Sequence, residues 1–530
     1  MAVNFLNNFL DVFRPKEPPV TRVEVSGQVY PPGYLTGLTF DGELDPAAMG
    51  RTDVYDVDYY QMARRAYTLV ITNEYIRTAV QRLTQFAIGT GLKLHPEPAK
   101  RFLKNNLKIK LSEEFTLNVQ DLWNLLEEDK NLSSDKQTTI HGIAKLVFYN
   151  AYIAGDVLVI KRVKNGHLEY QIINGLSVIS NKTEGTDGNK IVDGVELNKA
   201  GEHIAYYVMD EHGDETRIPA RDDKGRLISW LVYADDRRLG AVRGYSPFGA
   251  IMQKTRKIGQ YSNAEIIAAN TNAKFAATIE QNEHSSGVNP FKSVPVVGRT
   301  LQNDLKTEGS QATNQTEIKH FTDRLKAISN GLFIHMPKGQ KLNSFDTKRP
   351  NVNYGQFVDS SMKYIYASLG IPHEVALLVF QNNFSASRAS LKMFEMILKY
   401  LRKYIIIDGF YQEVYKQFFE LECLKGNIDA PKYLELKNDE GYLDNAYTKA
   451  KFIGAQIPHI DETKEVNAVL SKLKGGLITF EQALETLGNT TDFDTLVERR
   501  KQEEERIKAA GLNFETILTP EINIVTREGE

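Results

Sequence analysis

The chain has 530 residues, of which 42% are hydrophobic, and a formal net charge of −3 at pH 7. It can therefore bury a core in roughly two to four folding units, but it lacks the basic excess of a free-standing, non-specific DNA binder. Its single cysteine, Cys423, excludes an internal disulfide and a cysteine-pair zinc site and fits a reducing compartment.

Targeting and membrane signals are absent from the sequence. Met1–Leu10 has no basic n-region and no small-residue cleavage site, so we expect no signal peptide. No apolar run reaches about 18 residues, so we expect no membrane span and no membrane partner.

Helical periodicity dominates the first part of the chain. Residues 1–58 mix Pro, Gly and Asp and predict an extended arm. Apolar residues from 59 to 89 recur at helical spacing and predict one helix. That helix is expected to stop at Gly89-Thr90-Gly91, because glycine is favoured just past a helix C-terminus. Further helices are predicted over 115–126 and 139–154.

Short β-rich segments separated by turn formers come next. They predict strands over 156–161, 168–173, 192–197, 204–209 and 230–233. With the preceding helices they make residues 59–246 an α+β domain.

One long helix is predicted over 247–281, where Pro247 suits the first turn. At about 1.5 Å per residue it would span about 50 Å. Residues 282–312 lack periodicity, 313–330 predict a shorter helix, and 331–354 predict a strand followed by a polar loop from 337.

The last third of the chain is predicted to be mainly helical. The expected helices cover 355–369, 385–424, 442–455, 462–473, 479–487 and 492–510, and the last three carry many surface charges.

The sequence contains no motif that predicts a catalytic site. The chain has no G-x-x-x-x-G-K-[ST] loop, and Gly89-Thr90-Gly91 follows a helix rather than a strand, so it is interpreted as a helix stop. The ten histidines are scattered, and Asp235-Asp236 is interpreted as a solvated turn rather than a metal site. Cys423 is expected to be a buried, inert thiol. We therefore predict no catalytic residue, no metal and no cofactor.

Short strings in a fixed order carry a more specific signal. They are Ala87-Ile-Gly-Thr-Gly-Leu92, Gly155-Asp-Val-Leu158, Asp193-Gly-Val-Glu196, Ala205-Tyr-Tyr-Val208, Arg217-Ile-Pro-Ala220, Arg243-Gly-Tyr-Ser-Pro247, Leu369-Gly-Ile-Pro-His-Glu374 and Asn383-Phe-Ser-Ala-Ser-Arg-Ala389. Each string is short. With Asn73-Glu-Tyr-Ile-Arg77 before them and Lys474-Gly-Gly-Leu477 and the charged helix 498–505 after them, their shared order over about 440 residues resembles the lambda-type phage portal family.

The resemblance implies an α+β portal fold with an α/β wing, a long-helix stem, a clip and a mainly helical crown. Under it, the wing covers 59–246 and 355–440, and the crown and tail cover 441–530. The stem holds the helices at 247–281 and 313–330, the clip is 282–312, and 331–354 is a strand with a tunnel loop.

The resemblance also implies a function and partners. The expected assembly is a homo-oligomeric ring of about twelve subunits around a DNA channel, located in the virion at a capsid vertex after assembly in the host cytoplasm. Its expected partners are double-stranded DNA bound without sequence preference, the terminase large subunit, the major capsid protein and head-completion or adaptor proteins.

Charge is distributed unevenly along the chain. Residues 283–349 hold ten Lys and Arg against six Asp and Glu, a net of +4, which leaves −7 on the rest. Phosphate contacts read no sequence. The tunnel-loop candidates for such contacts are Lys338, Lys341, Lys348 and Arg349, and the clip and stem candidates are Lys292, Arg299, Lys306, Lys319, Arg324 and Lys326. Solvated loop charges are an equally good interpretation of these residues.

Two other functions stay open at this point. A nucleic-acid-processing enzyme such as a nuclease would need clustered carboxylates for metal ions. A capsid or adaptor protein that forms rings without a channel role is the third hypothesis.

Overall fold

A computed structural model describes ten ranges of the chain and two short strands. The ranges are 59–112, 114–234, 241–274, 278–281, 340–343, 353–380, 384–436, 442–456, 462–489 and 493–511. The short strands β1 (Glu24–Val25) and β2 (Gln28–Val29) pair antiparallel. Contacts divide the chain into a first unit, residues 1–253 and 363–530, and a second unit, residues 254–362.

Five helices and one strand open the first unit. They are α1 (Tyr59–Thr72), α2 (Glu74–Ile88), β3 (Lys93–Pro96), α3 (Lys100–Asn106), α4 (Phe115–Glu128) and α5 (Ile140–Ala154). The prediction of one helix over 59–89 is wrong at its centre. Asn73 has extended backbone, and its Oδ1 accepts a hydrogen bond from the Ile76 amide at 3.0 Å. Asparagine competes for backbone donors in this way and caps a new helix.

Two antiparallel sheets follow and share one core. Their strands are β4 (Asp156–Lys164), β5 (His167–Asn174), β6 (Lys190–Val192), β7 (Val195–Leu197), β8 (His203–Met209), β9 (Glu215–Pro219) and β10 (Ser229–Tyr233). The strand orders are β10–β4–β5 and β6–β7–β8–β9. Leu158, Tyr206 and Leu231 lie in one buried cluster to which both sheets contribute.

The strand predicted over 192–197 is wrong, because the chain reverses within it. Asp193 and Gly194 have φ values of +48° and +78°, the left-handed conformation of a two-residue hairpin turn. The segments on either side therefore pair with each other as β6 and β7. The other four predicted strands are confirmed, whereas β3 and β9 are not predicted by the sequence.

The second unit contains most of α6 (Met252–Lys274) and α7 (Tyr354–Ser368), with β11 (Thr278–Gln281) and β12 (Gln340–Asn343). The rings of Tyr261 and Phe357 meet edge-on with centroids 5.4 Å apart, and Ser262 Oγ lies 2.6 Å from the Tyr354 hydroxyl. These contacts join α6 to α7.

Two predictions in this region are wrong. The helix predicted over 247–281 ends at Lys274 and is about 35 Å long rather than about 50 Å, and the polar loop predicted over 337–354 contains β12. Both errors have one cause. β11 and β12 pair antiparallel across 58 intervening residues, and no local sequence pattern reveals a pairing partner at that distance. The clip at 282–312 and the helix at 313–330 lie outside the described residues.

The rest of the first unit is mainly helical. Its elements are α8 (His373–Leu377), α9 (Phe384–Leu401), a π-helical segment (Arg402–Tyr411), α10 (Gln412–Lys425), α11 (Tyr433–Leu436), α12 (Leu443–Tyr447), β13 (Ala450–Ile453), α13 (Glu462–Lys474), α14 (Phe480–Thr486) and α15 (Phe493–Ala509). The predicted helices at 355–369, 385–424 and the C-terminal three are confirmed. Within the described ranges, no helix has the length and apolar character that crossing a membrane requires.

The helix predicted over 442–455 is wrong in its second half. The chain leaves the helical conformation after Tyr447, and β13 pairs antiparallel with β3. A β-sheet partner more than 350 residues away overrides the local helical pattern.

Candidate functional site

Most of the basic residues predicted to face DNA lie outside the described residues. This group is Lys292, Arg299, Lys306, Lys319, Arg324, Lys326, Lys338, Lys348 and Arg349. The exception is Lys341, which lies on β12 at the register position opposite Glu280 of β11. Their proximity to DNA stays a prediction.

The pairing of β11 with β12 fixes where the two ends of the basic segment lie. Gln281 and Gln340 are register partners, so the chain leaves and returns at one place. Seven of the ten basic residues belong to the segment 282–339 between them. The pairing of β11 with β12 therefore holds the two ends of this segment next to each other.

A buried ion pair holds the junction at which the chain leaves the sheets for α6. The Arg243 guanidinium makes a bidentate contact with Asp156 at the start of β4, with Nε–Oδ2 at 2.8 Å and Nη2–Oδ1 at 2.7 Å. The Tyr59 hydroxyl and the Gly244 amide donate to the same carboxylate at 2.7 and 2.8 Å. Both ionised side chains are almost fully buried, and such a pair needs this degree of satisfaction to be tolerated.

The remaining Arg243 donors reach backbone carbonyl oxygens. Nη1 donates to Val178 and Asp193 at 2.9 Å each, and Nη2 donates to Gly175 at 2.7 Å. All five donors of the guanidinium are thereby used. Burial lowers the pKa of Arg243, but the Asp156 carboxylate together with Tyr59 and Tyr60 outweighs burial and raises the pKa above its ordinary value. The arginine therefore ties β4 to the segment after β5 and to the turn between β6 and β7 as a permanent cation.

Glycines make the close approach at this junction possible. A Cβ on Gly244 would lie 2.0 Å from the Gly155 carbonyl oxygen, and one on Gly175 would lie 2.0 Å from the Tyr59 hydroxyl. Two strings that the sequence offered separately, Gly155-Asp-Val-Leu158 and Arg243-Gly-Tyr-Ser-Pro247, are thus in direct contact. Asp156 and Arg243 each belong to one of these strings, but the sequence did not indicate that the two residues pair.

The junction also fixes the entry to α6. Ser246 Oγ donates to the Ile153 carbonyl at the end of α5 at 2.7 Å. The same oxygen accepts from the Phe248 amide at 3.3 Å and caps a 3₁₀ turn over Pro247–Ala250. These contacts hold the 3₁₀ turn that precedes α6 in place within the first unit.

A second buried arginine, Arg402, secures the Gly89-Thr90-Gly91 turn. Its Nε donates to the Ala87 carbonyl at 2.8 Å, and its Nη2 donates to Phe86 and Ala455 at 2.6 Å each. The contacts satisfy carbonyls that the end of α2 leaves unpaired. Burial lowers the pKa of Arg402. The sequence did not single out this residue.

A third polar cluster surrounds the buried Glu127. It accepts from Trp123 Nε1 at 2.9 Å and pairs with Lys93, and His141 Nε2 lies 3.6 Å from it. Burial raises the pKa of Glu127, but hydrogen bonds from His141 and Lys93 outweigh that effect and leave the pKa below its ordinary 4.5. Every group in this cluster is engaged in holding α4, β3 and α5 together.

These clusters support structure rather than chemistry. Within the described ranges no group of three or more His, Cys, Asp or Glu side chains could hold a metal ion. Cys423 is buried, as predicted, and Asp235-Asp236 lies outside the described residues. The Asp156–Arg243 pair has the satisfied hydrogen bonding of a buried packing contact.

Two solved structures align with this chain at low identity. A chain from the virion of a native gene transfer agent particle aligns with a TM-score of 0.43 and 9% identity, over 82% of this chain and 94% of that one. A chain from the neck of such a particle, computed with C12 symmetry, has a TM-score of 0.37 and 8% identity, over 76% and 96%.

Comparison of the sequence with known proteins finds relatives at higher identity than these two structures. The "Portal protein" of Escherichia phage N15 is 24% identical over 472 residues, 86% of each chain, and "Portal protein B" of Escherichia phage lambda is 22% identical over 463 residues, 84% of each chain. A family model described as phage portal protein, lambda family, matches residues 43–402. The matched range is more than half of the chain and includes both strings that meet at the Arg243 junction.

Proposed function

We propose that this chain, which belongs to the lambda family of phage portal proteins, forms a closed ring of about twelve subunits at one capsid vertex. Family membership makes it a portal protein of a phage-type particle. The ring is the conduit through which double-stranded DNA is packaged and ejected. The protein acts by forming this conduit and not as an enzyme.

The family match over residues 43–402 carries this proposal. The geometry of the chain agrees with it in two ways. Residues 283–349, which include the segment held by β11 and β12 and the residues after β12, carry a net charge of +4. The Arg243 junction fixes the chain of the first unit just before α6. Repeated around a ring, this basic stretch would present a surface that attracts phosphates without reading sequence.

The proposed partners follow from a position at the vertex. The major capsid protein surrounds the ring, the terminase large subunit docks during packaging, and head-completion proteins replace it afterwards. The ring assembles in the host cytoplasm and remains in the virion.

Charge reversal tests the DNA-facing assignment. We expect Lys348→Glu with Arg349→Glu to leave ring formation intact and to reduce the DNA protected from nuclease in a packaging assay. The matched control is Lys199→Glu with Lys224→Glu, two exposed lysines on loops of the four-stranded sheet. Unchanged packaging in the first variant would mean that these charges are passive.

A further inference from the structure

We propose that two unlike apolar surfaces of the first unit meet across the subunit boundary of the ring. The outer stripe is the set of exposed side chains along α9 and the π-helical segment, Met393, Met396, Tyr400 and Tyr404. The apolar hook is the run Leu377-Leu378-Val379-Phe380 at the end of α8. The inference rests on the proposed ring and names the surfaces that close it.

The outer stripe lies on a helix whose apolar face is only partly buried. Phe394 and Leu398 are fully buried, and Phe394 meets Phe86 of α2 edge-on at 5.6 Å. The outer stripe residues recur at helical spacing beside this buried face and are 45% to 66% exposed. The apolar surface of the helix is therefore wider than the part that the subunit itself buries, and its exposed part indicates a covering partner.

The composition of the outer stripe is that of an interface centre. Methionine and tyrosine are enriched in protein–protein contacts. The rings of Tyr400 and Tyr404 lie 4.7 Å apart. Lys392 and Lys399 flank the stripe and pair with Glu395 at 3.3 and 2.9 Å, which fits a polar rim around an apolar centre.

The apolar hook is unusual in its exposure and in its backbone conformation. Its four consecutive large apolar residues are 38% to 50% exposed. Leu378 caps α8 in the left-handed conformation, with φ of +55° and ψ of +34°, a position where glycine is usual and where a leucine costs about 1–2 kcal/mol. Strain that exposes an apolar side chain is expected where the exposed group has a binding role.

The size of the two surfaces favours a second copy of the chain as the occupant. A large side chain has roughly 200 Å² of surface, so the outer stripe exposes about 460 Å² and the apolar hook about 370 Å². One stripe with one hook gives roughly 830 Å², which is close to the apolar part of a standard interface of about 1,600 Å². A ring contact is heterologous and needs two different surfaces on every subunit, which is what the chain offers.

Chemical crosslinking tests the pairing directly. In a Cys423→Ser background, which removes the one native thiol, we introduce Leu378→Cys together with Met396→Cys and treat the assembled ring with a short bismaleimide. We expect covalent oligomers larger than a dimer on a denaturing gel. Each single variant should stay monomeric on the gel, and replacing Leu378→Cys by Leu125→Cys, at a 72% exposed position of α4, should abolish the ladder.

The outcomes separate this inference from the proposed function. Rings that form in mass photometry but give no ladder, or that give the same ladder with the Leu125→Cys control, overturn the interface and leave the portal function standing. Dimers from Met396→Cys alone overturn a heterologous contact. A protein that forms no rings overturns both proposals. In a second readout, Met393→Glu with Met396→Glu should lower the ring fraction at least about tenfold (about 1.4 kcal/mol), whereas Leu125→Glu should not.

Discussion

Breaking the Asp156–Arg243 ion pair should destabilise the first unit strongly. Asp156→Ala would leave the Arg243 guanidinium, 4% exposed, without its counterion, and would leave the Gly244 amide and the Tyr59 hydroxyl without their acceptor. Removing one partner of a buried pair typically costs about 3–5 kcal/mol. We expect a loss of that size in the free energy of unfolding.

Tryptophan fluorescence during urea unfolding is a suitable assay. Both tryptophans of the chain, Trp123 and Trp230, belong to the first unit, so the signal reports that unit, and linear extrapolation gives the free energy. The matched control is Glu503→Ala, which breaks an exposed pair with Arg500 and should change stability by less than about 0.5 kcal/mol.

A double-mutant cycle separates the pair from the two positions themselves. The variant carrying both Asp156→Leu and Arg243→Met should lose less than the sum of the two single changes, by about 1–3 kcal/mol. A loss below about 1 kcal/mol for Asp156→Ala, or additive single effects, would refute the assignment of this pair as the anchor of the junction.

Three further predictions concern other contacts of the first unit and a glycine of α6. Gly244→Ala should destabilise the protein by more than about 2 kcal/mol, because the added Cβ would meet the Gly155 carbonyl oxygen. Gly259→Ala on α6 should stabilise it by about 0.5–1 kcal/mol, because the added Cβ would meet nothing within 4 Å. Thermal melting compares the two variants, and equal shifts in Tm would contradict the argument. Glu127 has a lowered pKa, so the stability that its carboxylate contributes is present above the ordinary value of 4.5 and is lost as pH falls through the lowered value. The wild type should therefore lose more unfolding free energy than Glu127→Gln between pH of about 5 and about 3. Parallel curves of unfolding free energy against pH would contradict this prediction. Arg402→Met should lower the free energy of unfolding by about 2–4 kcal/mol, because it leaves carbonyl groups at the end of α2 without a donor. Arg402→Lys should lower it by less. An unchanged urea midpoint in Arg402→Met would show that water satisfies these carbonyl groups.

Local patterns predicted most of the helices correctly. The helices at 115–128, 140–154 and 384–425 carry apolar stripes that are complete within each segment, so neighbouring residues hold all the information. The same is true of the strands β4, β5, β8 and β10. The break at Asn73 and the turn at Asp193-Gly194 were also readable in principle, since both residue types favour those conformations.

Long-range partners explain what the sequence did not reveal. β13 pairs with β3 and β12 pairs with β11 across long separations, and a strand of four residues is recognised only with its partner. Asp156 and Arg243 stand 87 residues apart, and Arg402 contacts Ala87 across 315 residues. The motif strings named the residues at the junction, but only the fold shows that they form one ion pair.

Imaging of the purified, full-length protein tests the central claim most directly. Negative-stain electron microscopy with mass photometry should show rings with a central opening and a mass of about twelve copies of the 60.0 kDa chain. A protein that stays a 60.0 kDa monomer at high concentration would contradict the ring, the conduit and the subunit interface together.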